Sequence, residues 1–396
     1  MSEQARQLSK AASGMRQSVF ATLQQSIVRF RQSGGDLIPL HIGDTHLDPP
    51  PEAQLLTPPK DLALYGAVPG MPELREALAA RLTRRGFAKA HSGANVHVGC
   101  GCTHALFCAA RAVLNPGDSI LVVTPYWPLI IGVLRTAGVD PIGVPLTQQL
   151  YANPGLDIAQ KLERARTDTT RAVYFITPNN PDGYVYTQDQ LEQIAAFAKE
   201  HDLWVFADEV YSDFVYADEH QSIANLEGMA DRTISCYSMS KSHGMSGVRI
   251  GSIVASTSVI DAARRISNHT VYNVPVPMQQ AALAALQHGD PWVSHAQGNY
   301  RDARDATAAA LQKIGLPFYL PRGGSFVFIN LDTRLGGGPM KPFLEAAIER
   351  GVLLAPGEAF GDDYGPFLRL CYTGAPRPRV LEGIRRLAQT LEDFRP

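Results

Sequence analysis

The chain has 396 residues, of which 45% are hydrophobic and 19% charged, enough for two domains with ample core material. The formal net charge of -2 gives no overall attraction to nucleic acid or to an anionic membrane, so we predict neither partner. Five cysteines without a zinc-ligand spacing and an N-terminus without an apolar run predict a cytoplasmic protein with reduced thiols and no metal.

The N-terminal segment is predicted to be helical and then extended. Apolar residues recur at helical spacing over residues 15–30, and the glycines at 34–35 end that helix. Residues 37–43 are then extended and lead into a loop. His41 and His46 could each contact a substrate, but a histidine in a loop is more often solvated or hydrogen-bonded, and their roles stay open.

A glycine-containing stretch predicts an anion site. A strand at residues 96–99 passes through Gly101 into an alanine-rich helix that runs to residue 114. The first N–H groups of such a helix have no internal partner and can bind an anion. The same stretch superficially offers a dinucleotide fingerprint, but His104 stands where its third glycine is expected, and no acidic residue ends the next strand. A nicotinamide site is therefore disfavoured.

Strands and helices then alternate over about 200 residues. Strands are predicted at 119–123, 171–176, 204–207, 233–237 and 250–256, with helices at 130–137 and 188–200. This alternation favours a mostly parallel sheet with helices on both faces, in which ligands bind outside the carboxyl ends of the strands. Four polar residues fall just after predicted strands: Thr103, Asn180, Asp208 and Lys241. We therefore expect one shared site.

The pattern changes near residue 290, where a smaller α+β unit begins with a long helix at 293–313 and ends with one at 378–393. We predict three parts of the chain. Residues 1–45 form an N-terminal arm and part of the small domain, residues 46–288 the large domain, and residues 289–396 the small C-terminal domain.

The lysine in Ser238-Met239-Ser240-Lys241 is a candidate nucleophile. A desolvated lysine loses its proton near neutral pH, whereas the two serines and Arg249 suit a dianionic phosphate. An amine nucleophile beside a phosphate cradle suggests a Schiff base to pyridoxal 5′-phosphate (PLP). For an isolated Ser-x-Ser-Lys, a surface lysine in a polar turn would be the better interpretation.

Five short motifs in series resemble the PLP-dependent aminotransferases of fold type I, classes I and II, the group that contains aspartate aminotransferases. They are Asn179-x-Pro181-x-Gly183, Asp208-Glu209-x-Tyr211, Ser238-x-Ser240-Lys241, Gly247-x-Arg249-x-Gly251 and a late arginine, Arg369. The resemblance extends from about residue 37 to the end. It implies an α/β fold: a large domain whose mostly parallel sheet is flanked by helices, and a smaller α+β domain.

The resemblance also implies roles around the cofactor ring. Lys241 matches the Schiff-base lysine and proton shuttle, and Asp208 matches the carboxylate that keeps the pyridine nitrogen protonated. Tyr211 and Asn180 match residues that hydrogen-bond the ring oxygen. Taken alone, Asp208 could equally be a helix N-cap, and residues 179–183 would be read as a turn.

The phosphate and the faces of the ring have their own matching residues. Those on the phosphate-binding turn and beside it are Gly101, Cys102, Thr103, Ser238, Ser240 and Arg249. Trp127 matches an aromatic that stacks on the ring, with Val210 on the other face, although a core aromatic is the competing interpretation. Tyr65 matches a tyrosine that reaches the phosphate of the neighbouring subunit, which implies a homodimer.

Arg369 matches the arginine that clamps the α-carboxylate of the substrate, since only a guanidinium gives a planar, two-pronged grip. Asn180 should touch the same carboxylate, and Gly43 resembles the glycine whose backbone lines that pocket. Some relatives carry a lysine for a distal carboxylate where this chain has Thr103. The predicted donor is therefore a neutral or aromatic L-amino acid. Asp182 stands where threonine is usual, a departure expected to leave the site unaffected.

The predicted function is transfer of an amino group between an L-amino acid and a 2-oxo acid by ping-pong chemistry. A PLP-dependent lyase, such as a β-eliminating C–S lyase, or a biosynthetic specialist stays an alternative because the motifs belong to the cofactor. A silent PLP-binding sensor is disfavoured, since the N-terminal arm leaves no room for a DNA-binding module.

Overall fold

The computed structural model describes residues 9–13, 15, 19–54, 64–86, 92–217 and 219–394. Parts of the predicted N-terminal helix at 16–18 lie outside these residues. In the described part, a seven-stranded sheet is covered by helices on both faces, and a three-stranded antiparallel sheet is the centre of a second unit.

The strands are β1 (Ile38–Pro39), β2 (Val96–Cys100), β3 (Ser119–Thr124), β4 (Asp140–Pro145), β5 (Thr170–Ile176), β6 (Trp204–Asp208), β7 (Thr233–Ser238), β8 (Ile250–Val254), β9 (Phe326–Asn330), β10 (Val352–Leu353), β11 (Ala355–Pro356) and β12 (Phe367–Cys371).

The helices are α1 (Lys10–Ser13), α2 (Val19–Gln32), α3 (Pro72–Arg84), α4 (Gly101–Val113), α5 (Leu129–Thr136), α6 (Thr147–Ala152), α7 (Ile158–Ala165), α8 (Gln188–Glu200), α9 (Met239–Ser242), α10 (Thr257–Asn268), α11 (Val276–His288), α12 (Asp290–Lys313), α13 (Asp332–Leu335), α14 (Met340–Glu349) and α15 (Arg377–Asp393). None of them is both long enough and apolar enough to cross a bilayer, as far as the described residues go.

The strand order of the large sheet is β2-β8-β7-β6-β5-β3-β4. Only β8 runs against the others, because it pairs antiparallel with both β2 and β7. The carboxyl ends of the other six strands therefore meet at one edge, where β8 begins. The prediction of a mostly parallel α/β sheet is confirmed.

Burial of both faces explains why β3 is a continuous apolar run. Ile120 and Val122 pack into the core beneath α4 and α5, whereas Leu121 and Val123 pack into the core beneath α7 and α8. Alternate side chains of one strand thus join two helix layers to the same sheet.

The second unit draws its core from both ends of the chain. Leu23 and Ile27 of α2 pack with Ile329 of β9 and Leu387 of α15, and β1 pairs in parallel with β10. The helix α12 connects the units. It begins against Phe214 of the large unit and ends in the core of the second one. The domain limits at 45/46 and 288/289 stay a prediction.

Several elements differ from expectation, among them the unpredicted helices α6, α7, α10 and α11, and two of the differences involve proline. The strand β4 was not predicted, because Pro141 and Pro145 argue against a strand; it lies at the edge of the sheet, where proline is tolerated. The helix α12 begins at Asp290 and not at residue 293, because Pro291 fits the first turn of a helix, where no backbone N–H is needed.

Candidate active site

A cavity of about 1120 Å³ lies at the carboxyl edge of the large sheet. Its lining includes Thr124, Ile176, Asp208 and Ser238, the last residues of four strands. The predicted site residues that it brings together are Gly43, Cys102, Thr103, Trp127, Asn180, Asp208, Val210, Tyr211, Ser238, Ser240, Lys241, Arg249 and Arg369. The volume is sufficient for a cofactor together with a small substrate.

Lys241 lies on the single-turn helix α9, directly after β7. Ser238 caps this helix, since its Oγ accepts a hydrogen bond of 3.2 Å from the backbone N–H of Ser240. The Nζ atom of Lys241 donates a hydrogen bond to the carbonyl oxygen of Gly43. Burial lowers the pKa of Lys241, and the charge of Asp44 partly opposes this effect. The amine is thus more easily deprotonated than a surface lysine, as a nucleophile requires.

Asp208 is the last residue of β6 and is buried. Its Oδ2 accepts a hydrogen bond of 2.8 Å from the hydroxyl of Tyr174, and its Oδ1 accepts one of 3.4 Å from the N–H of Val210. Burial raises the pKa of Asp208 to about 6, although the bond from Tyr174 acts in the opposite sense. A cation placed against this carboxylate would favour its ionised form, so the site suits a protonated ring nitrogen.

The beginning of α4 forms a cradle for an anion. Gly101 has φ +71°, and a side chain there would collide with the guanidinium of Arg249. A side chain at Gly251 would likewise overlap the backbone of Cys102. The two glycines therefore let β8 and Arg249 lie directly against the beginning of the helix, where the N–H of Gly101 donates to the carbonyl oxygen of Arg249. The next N–H groups of the first turn have no partner within the helix and can bind an anion. With the hydroxyls of Ser238 and Ser240 on the same cavity, this donor set fits a phosphate group.

Arg369 of β12 supplies a second anion site. Its Nη1 donates to Oδ1 of Asn180 at 2.9 Å, and its Nη2 donates to the carbonyl oxygen of His41 at 2.5 Å. Its Cζ lies 4.1 Å from the ring centroid of Phe326 and 4.8 Å from that of Phe360. The Nε–H is buried without a partner among the described residues, as a carboxylate ligand would require. Burial lowers the pKa of Arg369 to about 10.

Asn180 connects this arginine to Tyr211. The amide of Asn180 lies in the turn that follows β5, near the side chain of Tyr211, where it opposes part of the rise in the pKa of that tyrosine. Burial raises the pKa of Tyr211, so its hydroxyl stays protonated and can donate. Lys241 Nζ lies 6.0 Å from the centroid of the tyrosine ring.

Several candidates lie elsewhere. Tyr65 is 87% exposed, packs edge-on against Tyr272 at 5.1 Å and is outside the cavity lining. His46 contacts the carbonyl of Thr373 through Nδ1, at 2.9 Å. His104 accepts a hydrogen bond from the N–H of Cys100 at the start of α4. His41 does line the cavity, and burial lowers its pKa to about 4.

The sequence reading missed three side chains of the site: Tyr174, Phe326 and Phe360. A tyrosine in the middle of the buried strand β5 was a usable signal, because a buried hydroxyl needs a partner. The two phenylalanines carried no such signal, since apolar residues on a strand and a loop are ordinary core residues.

Comparison with known proteins is consistent with this geometry. The family described as aminotransferase class I and II matches residues 35–387. An aspartate aminotransferase of Pyrococcus abyssi is 32% identical over 369 residues, covering 90% of this chain and 92% of that protein. An arginine–pyruvate transaminase of Pseudomonas aeruginosa is 32% identical over 364 residues, covering 90% of each.

Among solved structures, a double mutant of the Thermus thermophilus aspartate aminotransferase superposes with a TM-score of 0.87. It is 28% identical in sequence, and the superposition covers 97% of this chain and 100% of that one. The predicted resemblance is thus confirmed, and none of these relatives supports the lyase alternative. By sequence and by fold, the chain belongs to the class I and II aminotransferases, PLP-dependent enzymes that transfer amino groups between amino acids and 2-oxo acids.

Proposed function

We propose that this enzyme takes the amino group of a neutral or aromatic L-amino acid and passes it to a 2-oxo acid in a ping-pong cycle. The observation that carries the proposal is the convergence of three groups on one cavity: the buried amine of Lys241, the buried carboxylate of Asp208 and the guanidinium of Arg369. An anion cradle opens on the same cavity.

Each part of the cofactor has a holder in this arrangement. The start of α4, the hydroxyls of Ser238 and Ser240 and the guanidinium of Arg249 would hold the phosphate. Asp208 would keep the ring nitrogen protonated, and Asn180 and Tyr211 would hold the ring oxygen. Trp127 and Val210 would cover the ring. When bound, PLP supplies an electron sink for the bond that breaks at Cα of the donor.

Lys241 would hold the cofactor covalently. With the donor bound in its place, the freed Nζ of Lys241 would accept the proton from Cα of the donor. The lowered pKa of Lys241 favours the neutral amine that this step needs, and the hydrogen bond to the carbonyl of Gly43 fixes the direction of Nζ.

Arg369 orients the donor. Its unpaired Nε–H is available for one carboxylate oxygen, while Asn180 and the carbonyl of His41 hold the rest of the guanidinium in place. A carboxylate fixed in this way leaves little rotation to the Cα–H bond.

The remaining lining of the cavity favours a donor without a negative side chain. Met15, Ile42 and Leu129 are exposed apolar residues on this lining, and such residues in a cavity indicate an apolar ligand. Thr103 adds no positive charge to this lining. Besides Lys241, Arg249 and Arg369, the described lining holds one more cation, Arg135. Besides Asp208, it holds three more carboxylates: Glu358, Asp362 and Asp363. This surplus of negative charge opposes an aspartate or glutamate donor.

A half-reaction without oxo acid tests the proposal. The purified holoenzyme is mixed separately with phenylalanine, leucine, aspartate, glutamate and arginine, and pyridoxamine phosphate is measured by chromatography. We expect it to form with phenylalanine or leucine, and at least about tenfold more slowly with the acidic donors. Arginine as the sole donor would indicate a preference for cationic side chains. In parallel incubations with serine and cysteine, release of ammonia with pyruvate would indicate a lyase.

Two variants accompany the panel. Lys241→Ala should form no pyridoxamine phosphate on any donor, because the covalent attachment and the base are both lost. Lys313→Ala, which removes an exposed lysine of α12, should behave as the wild type.

The assembly and compartment are also proposals. The exposed ring of Tyr65 lies outside the cavity of its own subunit, which supports a homodimer in which it serves the partner. All five cysteines are free thiols, which supports a cytoplasmic location.

A further inference from the structure

The carboxylate of Asp182 is buried, with 2% of the residue exposed, and accepts four hydrogen bonds. The donors are Thr147 Oγ1 at 2.5 Å, Gln148 Nε2 at 2.9 Å, Asn179 Nδ2 at 2.8 Å and the backbone N–H of Tyr184 at 3.1 Å. Burial raises the pKa of this carboxyl, but each of the four donors favours its ionised form. The backbone carbonyl of Asp182 accepts a fifth bond, from the hydroxyl of Tyr151 at 3.0 Å.

These bonds join three segments of the chain. Two of the donors to the carboxylate lie on α6, and the other two belong to the turn that contains Asp182 itself. The amide of Asn179 also donates to the carbonyl of Pro125 at 3.1 Å, in the loop that carries Trp127. Within the turn at residues 179–184, two backbone bonds run from Asn179 to Tyr184 and from Gly183 to Asn179, and the carbonyl oxygen of Gly183 also accepts from the N–H groups of Arg322 and Gly323. The carboxylate of Asp182 adds the side-chain bonds that join this turn to α6.

Asn180 sits in this turn, between Asn179 and Asp182. Its Oδ1 accepts from Arg369, and its amide lies near Tyr211, so it faces both the carboxylate site and the ring site. Any shift of the turn would displace these two contacts together.

We propose that Asp182 is a positioning residue for transamination: its buried carboxylate fixes the turn so that Asn180 presents Arg369 to the α-carboxylate of the donor. The inference rests on the proposed function and replaces the expectation that this position leaves the site unaffected. A threonine here would offer a single hydroxyl oxygen to the four donors. Thr147 and Gln148 of α6 are thus matched to an aspartate.

The test uses the holoenzyme of Asp182→Asn and of Asp182→Thr. Binding of 3-phenylpropionate, which has a carboxylate but no amine, is measured by calorimetry, together with KM and kcat for phenylalanine and the Kd of PLP. We expect the Kd of 3-phenylpropionate and the KM for phenylalanine to rise about tenfold or more, because a displaced guanidinium of Arg369 no longer meets the carboxylate in the right orientation. The Kd of PLP should rise much less than the Kd of 3-phenylpropionate, since Asn180 gives the cofactor one contact, whereas the phosphate cradle and Lys241 lie outside the turn.

Asp213→Asn is the matched control. Asp213 is equally buried, but its carboxylate binds Arg81 at 2.8 Å and Arg85 at 3.0 Å and not the turn. Asp213→Asn should lower the melting temperature of the enzyme without raising the Kd of 3-phenylpropionate. If the Asp182 variants do the same, Asp182 is merely structural and the proposal is overturned.

A milder variant covers the case in which the Asp182 variants do not fold. Thr147→Val removes one of the four donors and keeps the shape of the side chain, and it should raise the Kd of 3-phenylpropionate about threefold. An unchanged Kd would overturn the proposal. A wild-type enzyme that fails to transaminate any donor would instead overturn the proposed function, a result that needs no variant.

Discussion

The hydroxyl of Tyr174 donates a hydrogen bond of 2.8 Å to Oδ2 of Asp208 across the neighbouring strands β5 and β6. Both residues are buried, so this bond replaces hydration that the carboxylate has lost. It favours the ionised form of Asp208, which is the form that a protonated ring nitrogen needs as its partner.

Tyr174→Phe should weaken the binding of PLP about tenfold at pH 7.5. A hydrogen bond to a charged group contributes about 1.5–3 kcal/mol, and part of that energy supports the ionised carboxylate that binds the ring. The affinity is measured by titrating the apo-protein with PLP and following tyrosine and tryptophan fluorescence. Tyr186→Phe is the control, because the buried hydroxyl of Tyr186 has no partner among the described residues. Equal affinities in the two variants would contradict the role given to Tyr174.

Asp208→Asn should alter the pH dependence of apo-protein stability with a defined sign. Burial raises the pKa of Asp208 from 3.8 to about 6, so between these values the folded chain holds a proton that the unfolded chain has released. The contribution of this carboxyl to the free energy of unfolding therefore falls as the pH rises through that window. The change amounts to about 3 kcal/mol, at 1.36 kcal/mol for each pKa unit. The melting temperature of Asp208→Asn minus that of the wild type should therefore be larger at pH 7.5 than at pH 4. Parallel melting curves across this range would contradict the assignment.

Thr103→Lys should move the donor preference toward aspartate. Outside the residues assigned to the cofactor and to the binding of the donor's carboxylate, the lining has more carboxylates than cations. The substitution adds a cation to this part of the lining. We expect the ratio of kcat/KM for aspartate to kcat/KM for phenylalanine to rise at least about tenfold at saturating PLP. Thr103→Met, which adds length without charge, should leave the ratio unchanged. A rise in both variants would mean that size and not charge sets the preference.

The sequence predicts the site best where chemistry follows a strand directly. Asp208 is the last residue of β6 and Lys241 lies three residues after the end of β7, and the carboxyl edge of a parallel sheet then brings them together. Contacts across the sheet carry no such signal. The bond from Tyr174 to Asp208 depends on the pairing register of β5 and β6, which only the fold defines.

The long-range part of the site was accessible only through family resemblance. Arg369 and Asn180 are 189 positions apart and meet because β12 belongs to a second unit that packs over the edge of the large sheet. The same non-local packing pairs β1 with β10, more than 300 residues later in the chain. Periodicity and turn chemistry describe segments locally, so neither can specify such a meeting.

The exposed position of Tyr65 leads to a prediction about mixed dimers. Its ring meets only Tyr272 among the aromatic rings described, and it lies outside the cavity lining of its own subunit, so we expect its hydroxyl to bind the phosphate in the partner. Tyr65→Ala should then weaken the binding of PLP about tenfold, and Lys241→Ala should abolish its covalent attachment.

After subunit exchange between the two variants, one cavity of each mixed dimer combines an intact Lys241 with an intact Tyr65 from the other chain. Borohydride trapping at limiting PLP should therefore recover wild-type affinity in the mixed dimers, whereas a tyrosine acting within its own subunit leaves them as weak as the Tyr65→Ala parent. Tyr319→Ala, an exposed aromatic elsewhere, should trap PLP normally throughout.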